Sequence, residues 1–331
     1  MALVLAPAGC YGPCLPLTNM GGVYTTVATL GTPPQSLNLV ADTGSYNLLV
    51  DSTLCTQPEC AVHHSFDPNV SSTYVAGKKV VVTGYGQGAV RSLISSDTVG
   101  LGQRSPSDTT PALSAAAVPT LLMKKELLKN WGTASYDGVM GLGKRNQTEV
   151  NTTTLLASLG VERFTTCLGG HDVQGQATRD ALAAREAPGG RGMRPPLGDG
   201  IGGRLTLTAD MPELAGQFKP LEVVGRNAWA LEFSGWSLQG KSVADPTCSA
   251  ENGRFCAALV DTGTTLVTLP KASYDAVGPT APEPRLPRTT RWRPAHVTAR
   301  GRPGLAGDGQ HRRAVPSQNR AQLIVPPCAA V

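Results

Sequence analysis

Leu37-Asn38-Leu39-Val40-Ala41-Asp42-Thr43-Gly44-Ser45 is the stretch on which the reading of this chain turns. An apolar run ends in a carboxylate, followed by a hydroxyl, a glycine and a second hydroxyl. A further apolar run, Tyr46-Asn47-Leu48-Leu49-Val50, comes after it. The pattern returns 219 positions later, where Ala257-Ala258-Leu259-Val260 leads into Asp261-Thr262-Gly263-Thr264-Thr265. A carboxylate at the end of a buried strand is costly unless it is hydrogen-bonded. The hydroxyls and the glycine N–H can supply those bonds, and glycine lets the backbone turn sharply. One such tripeptide is weak evidence, but two copies with apolar flanks point to a matched pair.

The rest of the composition is that of a globular chain. Its 331 residues are enough for two lobes with sizeable cores. The net charge is +5, but residues 281–331 hold nine arginines against Glu283 and Asp308. That stretch alone carries +7 and residues 1–280 carry −2, so the basic balance argues for no nucleic-acid partner of the folded part. No run approaches the ~20 apolar residues of a membrane span. The eight cysteines follow no metal-ligand spacing, and His63-His64 reads as loop. Cys55 with Cys60, and Cys248 with Cys256, are close enough to form local bridges. Three sequons, at Asn69, Asn146 and Asn151, fit a secretory route. Met1 to Pro7 is too short, and lacks the basic start, for a signal peptide, so the chain is expected to begin near a mature end or to lack its true start.

In chain order, residues 1–15 read as a lead-in. Val23 to Leu30 alternates as a strand, Gly31 to Pro34 turns, and Ser36 to Ala41 is the strand that delivers Asp42. Lys79 to Thr83 is a strand that leads to Gly84-Tyr85-Gly86-Gln87-Gly88, a glycine-rich hairpin tip. Its Gly-x-Gly is not read as a phosphate loop, because no helix follows and no lysine sits in it. Asp97-Thr98-Val99 reads as the next strand, and Leu121 to Lys129 as a short helix or strand end. Residues 171–203 and 278–331 are rich in Gly, Ala, Arg and Pro. They read as a disordered insertion and a disordered tail, with a basic docking tail as the alternative for the second.

The paired motifs also define a chemistry. Two aspartates brought together share one proton, and their apparent pKa values split. The ionised member can take a proton from water while the protonated one polarises a peptide carbonyl, which is general acid–base hydrolysis without a covalent intermediate. The motif pair, in this order and with these flanks, resembles the signature of the pepsin-like aspartic proteases. Gly31-Thr32-Pro33-Pro34-Gln35, Phe66-Asp67-Pro68 and Ser71-Ser72-Thr73-Tyr74 are similar to that family's turns. Tyr136 to Gly143 resembles the segment that threads beside the first Asp strand.

The resemblance covers residues 16–170 and 203–277, and it implies an all-β, bilobal fold. An N-terminal lobe is expected over 16–165 and a partial, truncated C-terminal lobe over 166–277. It implies Asp42 and Asp261 as the catalytic pair, supported by Thr43, Gly44, Ser45, Thr262, Gly263 and Thr264. Tyr85 and Gly86 would sit on a flap over the cleft, with a surface hairpin as the plainer alternative. The implied disulfides are Cys55–Cys60 and Cys248–Cys256, with Cys167 left unpaired or mispaired. The implied partner is a polypeptide substrate in extended conformation, with no cofactor, no metal and a monomeric chain in the secretory pathway. Leu49 stands where pepsin has a tryptophan that supports the flap tyrosine. The β-secretase branch also lacks it, and Thr264-Thr265 with Leu269-Pro270-Lys271 resembles that branch. The rival expectations are a weak or inactive peptide-binding relative, because the second lobe lacks its usual ending, and a half-size protease that dimerises.

Overall fold

The computed structural model of the chain describes residues 13–20, 22–104, 110–144, 148, 150–168, 202–207, 221–233, 236–238, 241–243, 256–265, 267–268 and 271. These residues divide into two compact units. One holds those up to Leu207 together with Asp261–Thr265, and the other holds 221–260, 267, 268 and 271. The expected insertion, apart from Gly202 and Gly203, and the expected tail from 278 onward lie outside the described residues, as does Cys248.

The first unit is built on one ten-stranded, barrel-like sheet. Its strands are β1 (Cys14–Asn19), β2 (Tyr24–Leu30), β3 (Gln35–Asp42), β4 (Leu48–Val50), β5 (Val80–Tyr85), β6 (Gly88–Leu101), β7 (Leu113–Leu128), β8 (Gly138–Gly141), β9 (Phe164–Leu168) and β10 (Gly203–Leu207). Their order is β5-β6-β7-β4-β8-β3-β2-β1-β10-β9, and β6 returns to pair with β2 as well. Among the described residues of this unit one short α-helix, α1 (Leu155–Ser158), is capped by Thr154, whose hydroxyl accepts from the Ala157 N–H. In the second unit β11 (Ala230–Phe233) pairs with β14 (Cys256–Leu259), and β12 (Trp236–Leu238) pairs with β13 (Lys241–Val243).

β3 explains why its sequence from Leu37 to Ala41 is apolar but for Asn38. It lies between β2 and β8, and every residue from Leu37 to Asp42 is buried. A strand covered on both faces has no polar side to show. β8 runs parallel to β3, with Leu39 opposite Gly138 and Asp42 opposite Gly141, and antiparallel to β4. Its glycines allow this threading, because a Cβ at Gly138 would run into the Leu49 carbonyl and one at Gly141 into the backbone of Tyr46 and Asn47. The expected position of Val139-Met140-Gly141 beside the Asp42 strand is what the register shows.

Asp97-Thr98-Val99 is strand as expected, within the 14-residue β6, and of the two expectations for Leu121 to Lys129 the strand end holds, since Leu121 to Leu128 closes the 16-residue β7. Ser114 to Pro119 has no apolar period of its own. It is held extended by its pairing with Gly100 back to Ser96. The β6–β7 ladder shifts register between Arg91 and Ser92 and again between Asp97 and Val99.

Behind the strands lies a pair of buried carboxyls. Asp137 accepts from the Asn38 N–H at 2.8 Å and from the His64 N–H at 2.8 Å. Asp51 accepts from the Ser52 N–H at 3.0 Å and the Ser65 hydroxyl at 3.2 Å, and its own N–H donates to the Asp137 carbonyl at 2.7 Å. Burial pushes both carboxyls up to about 7, and the neighbouring Asp137 adds to the rise at Asp51. Between the ordinary carboxylate range and about pH 7, the folded chain therefore holds protons that the unfolded chain releases. Stability is full below about pH 4 and is lost as pH rises through about 7, with each unit of pKa equivalent to about 1.4 kcal/mol. Denaturant midpoints measured from pH 4 to 8 should fall steadily. Asp51→Asn, which keeps an acceptor for the Ser52 N–H, should make that fall shallower by roughly a third, since Asp137 and the raised Asp42 still contribute.

Candidate active site

The site begins where β3 ends. Asp42 is buried, and its Oδ1 accepts from the Gly44 N–H at 2.9 Å. The loop that follows is strapped to the end of β8 by three backbone bonds. The Leu142 N–H donates to the Asp42 carbonyl at 2.7 Å, the Gly143 N–H to Ser45 at 2.9 Å, and the Gly141 N–H to Asn47 at 3.0 Å. The second motif repeats this arrangement. Asp261 Oδ1 accepts from the Gly263 N–H at 2.9 Å, and Oδ2 accepts from the Thr264 hydroxyl at 2.5 Å.

The two loops interlock. The Thr43 N–H donates to Thr262 Oγ1 at 3.1 Å, and the Thr262 N–H donates to Thr43 Oγ1 at 3.0 Å. The Thr262 hydroxyl in turn donates to the Ala41 carbonyl at 2.5 Å. Each hydroxyl therefore accepts from the opposite backbone, which holds the two loops in reciprocal register. The fit leaves no room for a side chain, since a Cβ at Gly44 would meet the Asp261 carboxyl and a Cβ at Gly263 would meet the Asp42 carboxyl.

The Asp261 carboxyl lies against Gly44 and the Asp42 carboxyl against Gly263, close enough for each to bear on the other's proton. Asp42 is pushed up to about 6, first by burial and then by the neighbouring Asp261 carboxyl. The Ser45 hydroxyl and the Gly44 N–H pull the other way, although Ser45 Oγ falls short of full hydrogen-bond geometry. Burial and then the charge of Asp42 also raise the Tyr136 phenol, which places that ring within the field of the pair.

Tyr85 and Gly86 lie at the tip of the β5–β6 hairpin, where Tyr85 pairs with Gly88 across a two-residue turn. Tyr85 packs against a cluster that includes Leu49, Val90, Met123 and Trp131. Trp131 escaped the sequence reading. It stacks on His63 with ring centroids 4.4 Å apart and meets Tyr136 edge-on at 5.6 Å. An aromatic from a loop after β7 thus fills the neighbourhood of Leu49, and only its size and its spacing of five residues from Tyr136 could have hinted at this.

Cys55 and Cys60 form the expected disulfide. Asp51 lies close to both sulfurs, but as disulfide atoms they offer no thiolate to a metal. Cys256 is also disulfide-bonded, with its expected partner Cys248 outside the described residues. Cys167 is disulfide-bonded as well, so of the two expectations for it, unpaired or mispaired, the first does not hold.

Residues 23–163 and 200–281, more than half of the chain, match the model of the eukaryotic aspartyl proteases, and the chain belongs to that family. Among its relatives, pepsin-2B of Gadus morhua is 27% identical over 254 residues, which is 75% of this chain and 65% of that protein. Pepsin A-5 of Mus musculus is 28% identical over 271 residues, covering 81% of this chain and 59% of that one. Cathepsin E-B of Xenopus laevis is 27% identical over 265 residues, covering 78% and 57%. The chain thus spans less than two thirds of the length of these curated relatives.

The interlock generates a test. Thr262→Val removes the acceptor of the Thr43 N–H and the donor to the Ala41 carbonyl, at a cost of about 1–3 kcal/mol. Chemical denaturation should show that loss, whereas Thr262→Ser should retain most of the stability.

Proposed function

We propose that this chain is an aspartic endopeptidase that hydrolyses internal peptide bonds of extended polypeptides in acid. The observation that carries the proposal is the reciprocal pair of Asp-Thr-Gly loops, which sets each carboxyl against the opposite loop's glycine. In the proposed reaction one of Asp42 and Asp261 is ionised and removes a proton from a water molecule. The other, protonated, donates to the oxygen of the scissile carbonyl as the water oxygen adds to its carbon. Collapse of the tetrahedral intermediate expels the amine, which takes a proton from the pair. Gly44, Ser45, Gly263 and Thr264 hold the carboxyls in orientation, and Thr43 and Thr262 hold the loops. Tyr85 and Gly86 close over the substrate, whose extended backbone is the main feature recognised. Neither step calls for a metal or cofactor.

The disulfides and the three sequons support passage through an oxidising secretory compartment. No helix among the described residues is long and apolar enough to cross a membrane. Leu49 and the Thr264-Thr265 pair support placing the chain near the β-secretase branch of the family. The proposed working form is a monomer, because both Asp motifs are carried by one chain.

Asp42→Asn and Asp261→Asn should each lower cleavage of a denatured protein by roughly 10³-fold or more while the first unit stays folded. Activity that survives either change would reject the pair. Because Asp42 loses its proton near pH 6, cleavage should be fast in acid and fall as pH rises through about 6. A maximum above pH 7 would point to other chemistry. Binding of a statine-type inhibitor without turnover would favour a peptide-binding relative over an enzyme.

A further inference from the structure

The outer side of the β5–β6–β7 sheet takes no part in the chemistry above, and its composition is one-sided. Lys78, Arg91, Lys124, Lys125 and Lys129 are all exposed there. Among the described residues these three strands carry two acids, Asp97 and Glu126, and both are buried. Val82, Arg91 and Lys125 stand side by side across the three strands, and the next row on this face is Gly84, Ala89 and Leu127. Apolar side chains are left uncovered between the cations, with Val82 65% exposed, Leu127 54% and Val80 37%.

The same strip is a free sheet edge. β5 ends the sheet order and pairs, among the described residues, only with β6. The Ile94 N–H donates to the Lys79 carbonyl, so Lys79 and Ile94 form a bonded pair. In an antiparallel ladder, bonded and non-bonded pairs alternate. Val80, Val82 and Gly84 therefore turn their N–H and C=O groups away from β6, toward the open edge. The residues that offer backbone bonds are the ones whose side chains lie exposed beside the cations.

We infer that the β5 edge and its basic face form a docking strip for an acidic polypeptide segment in extended conformation, which adds to the sheet as a further strand. An extended chain satisfies the backbone groups of Val80, Val82 and Gly84, as sheet-edge recognition does generally. Its acidic side chains meet five cations, and the two acids of these strands are buried. A second copy of this chain is disfavoured as occupant, because it brings the same five cations to the contact, and lysines at an edge oppose such self-pairing. A membrane surface fits less well. It offers no ordered partners for the edge, and the exposed face carries none of the aromatic side chains that settle at lipid interfaces.

The test reads binding rather than turnover, so it stands apart from the hydrolytic proposal. A short, fluorescein-labelled peptide of alternating Glu and Val is titrated with the full chain at pH 6.5 and low ionic strength, following anisotropy. Saturable binding is expected, and it should be lost at about 0.5 M salt, where charges are screened within a few ångströms. Lys124→Glu together with Lys125→Glu should weaken it about tenfold or more. The same peptide N-methylated at alternate residues should not bind the unaltered protein, because it cannot complete the ladder. That arm needs no variant to fold. Equal binding of an alternating Lys-Val peptide, or indifference to N-methylation, overturns the proposal. So does capture of the chain by phosphatidylserine-containing vesicles when the Glu-Val peptide fails to bind, or self-association in place of peptide binding.

Discussion

Each of the two threonine hydroxyls, on Thr43 and Thr262, accepts the backbone N–H of the other loop, and the rest of the site depends on that exchange. The carboxyls themselves repel when both are charged, and burial makes that repulsion stronger rather than weaker. Something other than the carboxyls must hold them together. Backbone bonds between the loops do so without adding charge, and the Thr262 hydroxyl passes the restraint on to Ala41, the residue before Asp42. The glycines at 44 and 263 then leave space in which each carboxyl can sit against the opposite loop. Position is set by neutral groups, and the acid–base character of Asp42 follows from burial and its neighbour.

The same division of labour appears on a larger scale in the strands. β3 is central and buried on both faces, so it can carry a polar end residue only if neighbouring strands fix its backbone. β8 does this with two glycines placed where any side chain would strike β4 or the loop after Asp42. The Asp51 and Asp137 carboxyls lie in the layer behind, tied to Asn38 of β3 and to the loop carrying His64. Their raised pKa values tune this unit toward acid, which matches the direction in which Asp42 is shifted.

Much of this was legible in the sequence because it was local. The Asp-Thr-Gly pair, the buried run of β3, the glycine hairpin at Tyr85 and the β8 segment each lie within about ten residues and carry their own signals. What escaped was set by distant partners. Ser114 to Pro119 is extended because β6 lies beside it, not because of its own pattern. Trp131 joins the cluster beside Leu49 and Tyr85 from a separate loop, a neighbour that no local pattern announced. The Asp51–Asp137 pair joins residues far apart in the chain whose carboxyls give no sequence hint of shared burial. That Cys167 is bonded at all ran against one half of an expectation drawn from the family resemblance, which ties that cysteine to an ending this chain does not resemble.

β6 belongs to two structures at once. At Val99 to Leu101 it is a stave of the barrel, bonded to β2, and at Gly88 it is the tip of the hairpin that carries Tyr85. A continuous strand between those points acts as a lever arm, so the tip cannot swing as a free loop does. Its bending is concentrated where the ladder loses register, at Arg91/Ser92 and at Asp97/Val99. The first of these joints lies on the basic outer face and the second beside the turn that holds Thr73 against Asp97. The basic outer face and Tyr85 are thus joined by one continuous ladder, in which β6 leads from Arg91 to Gly88, the residue that pairs with Tyr85.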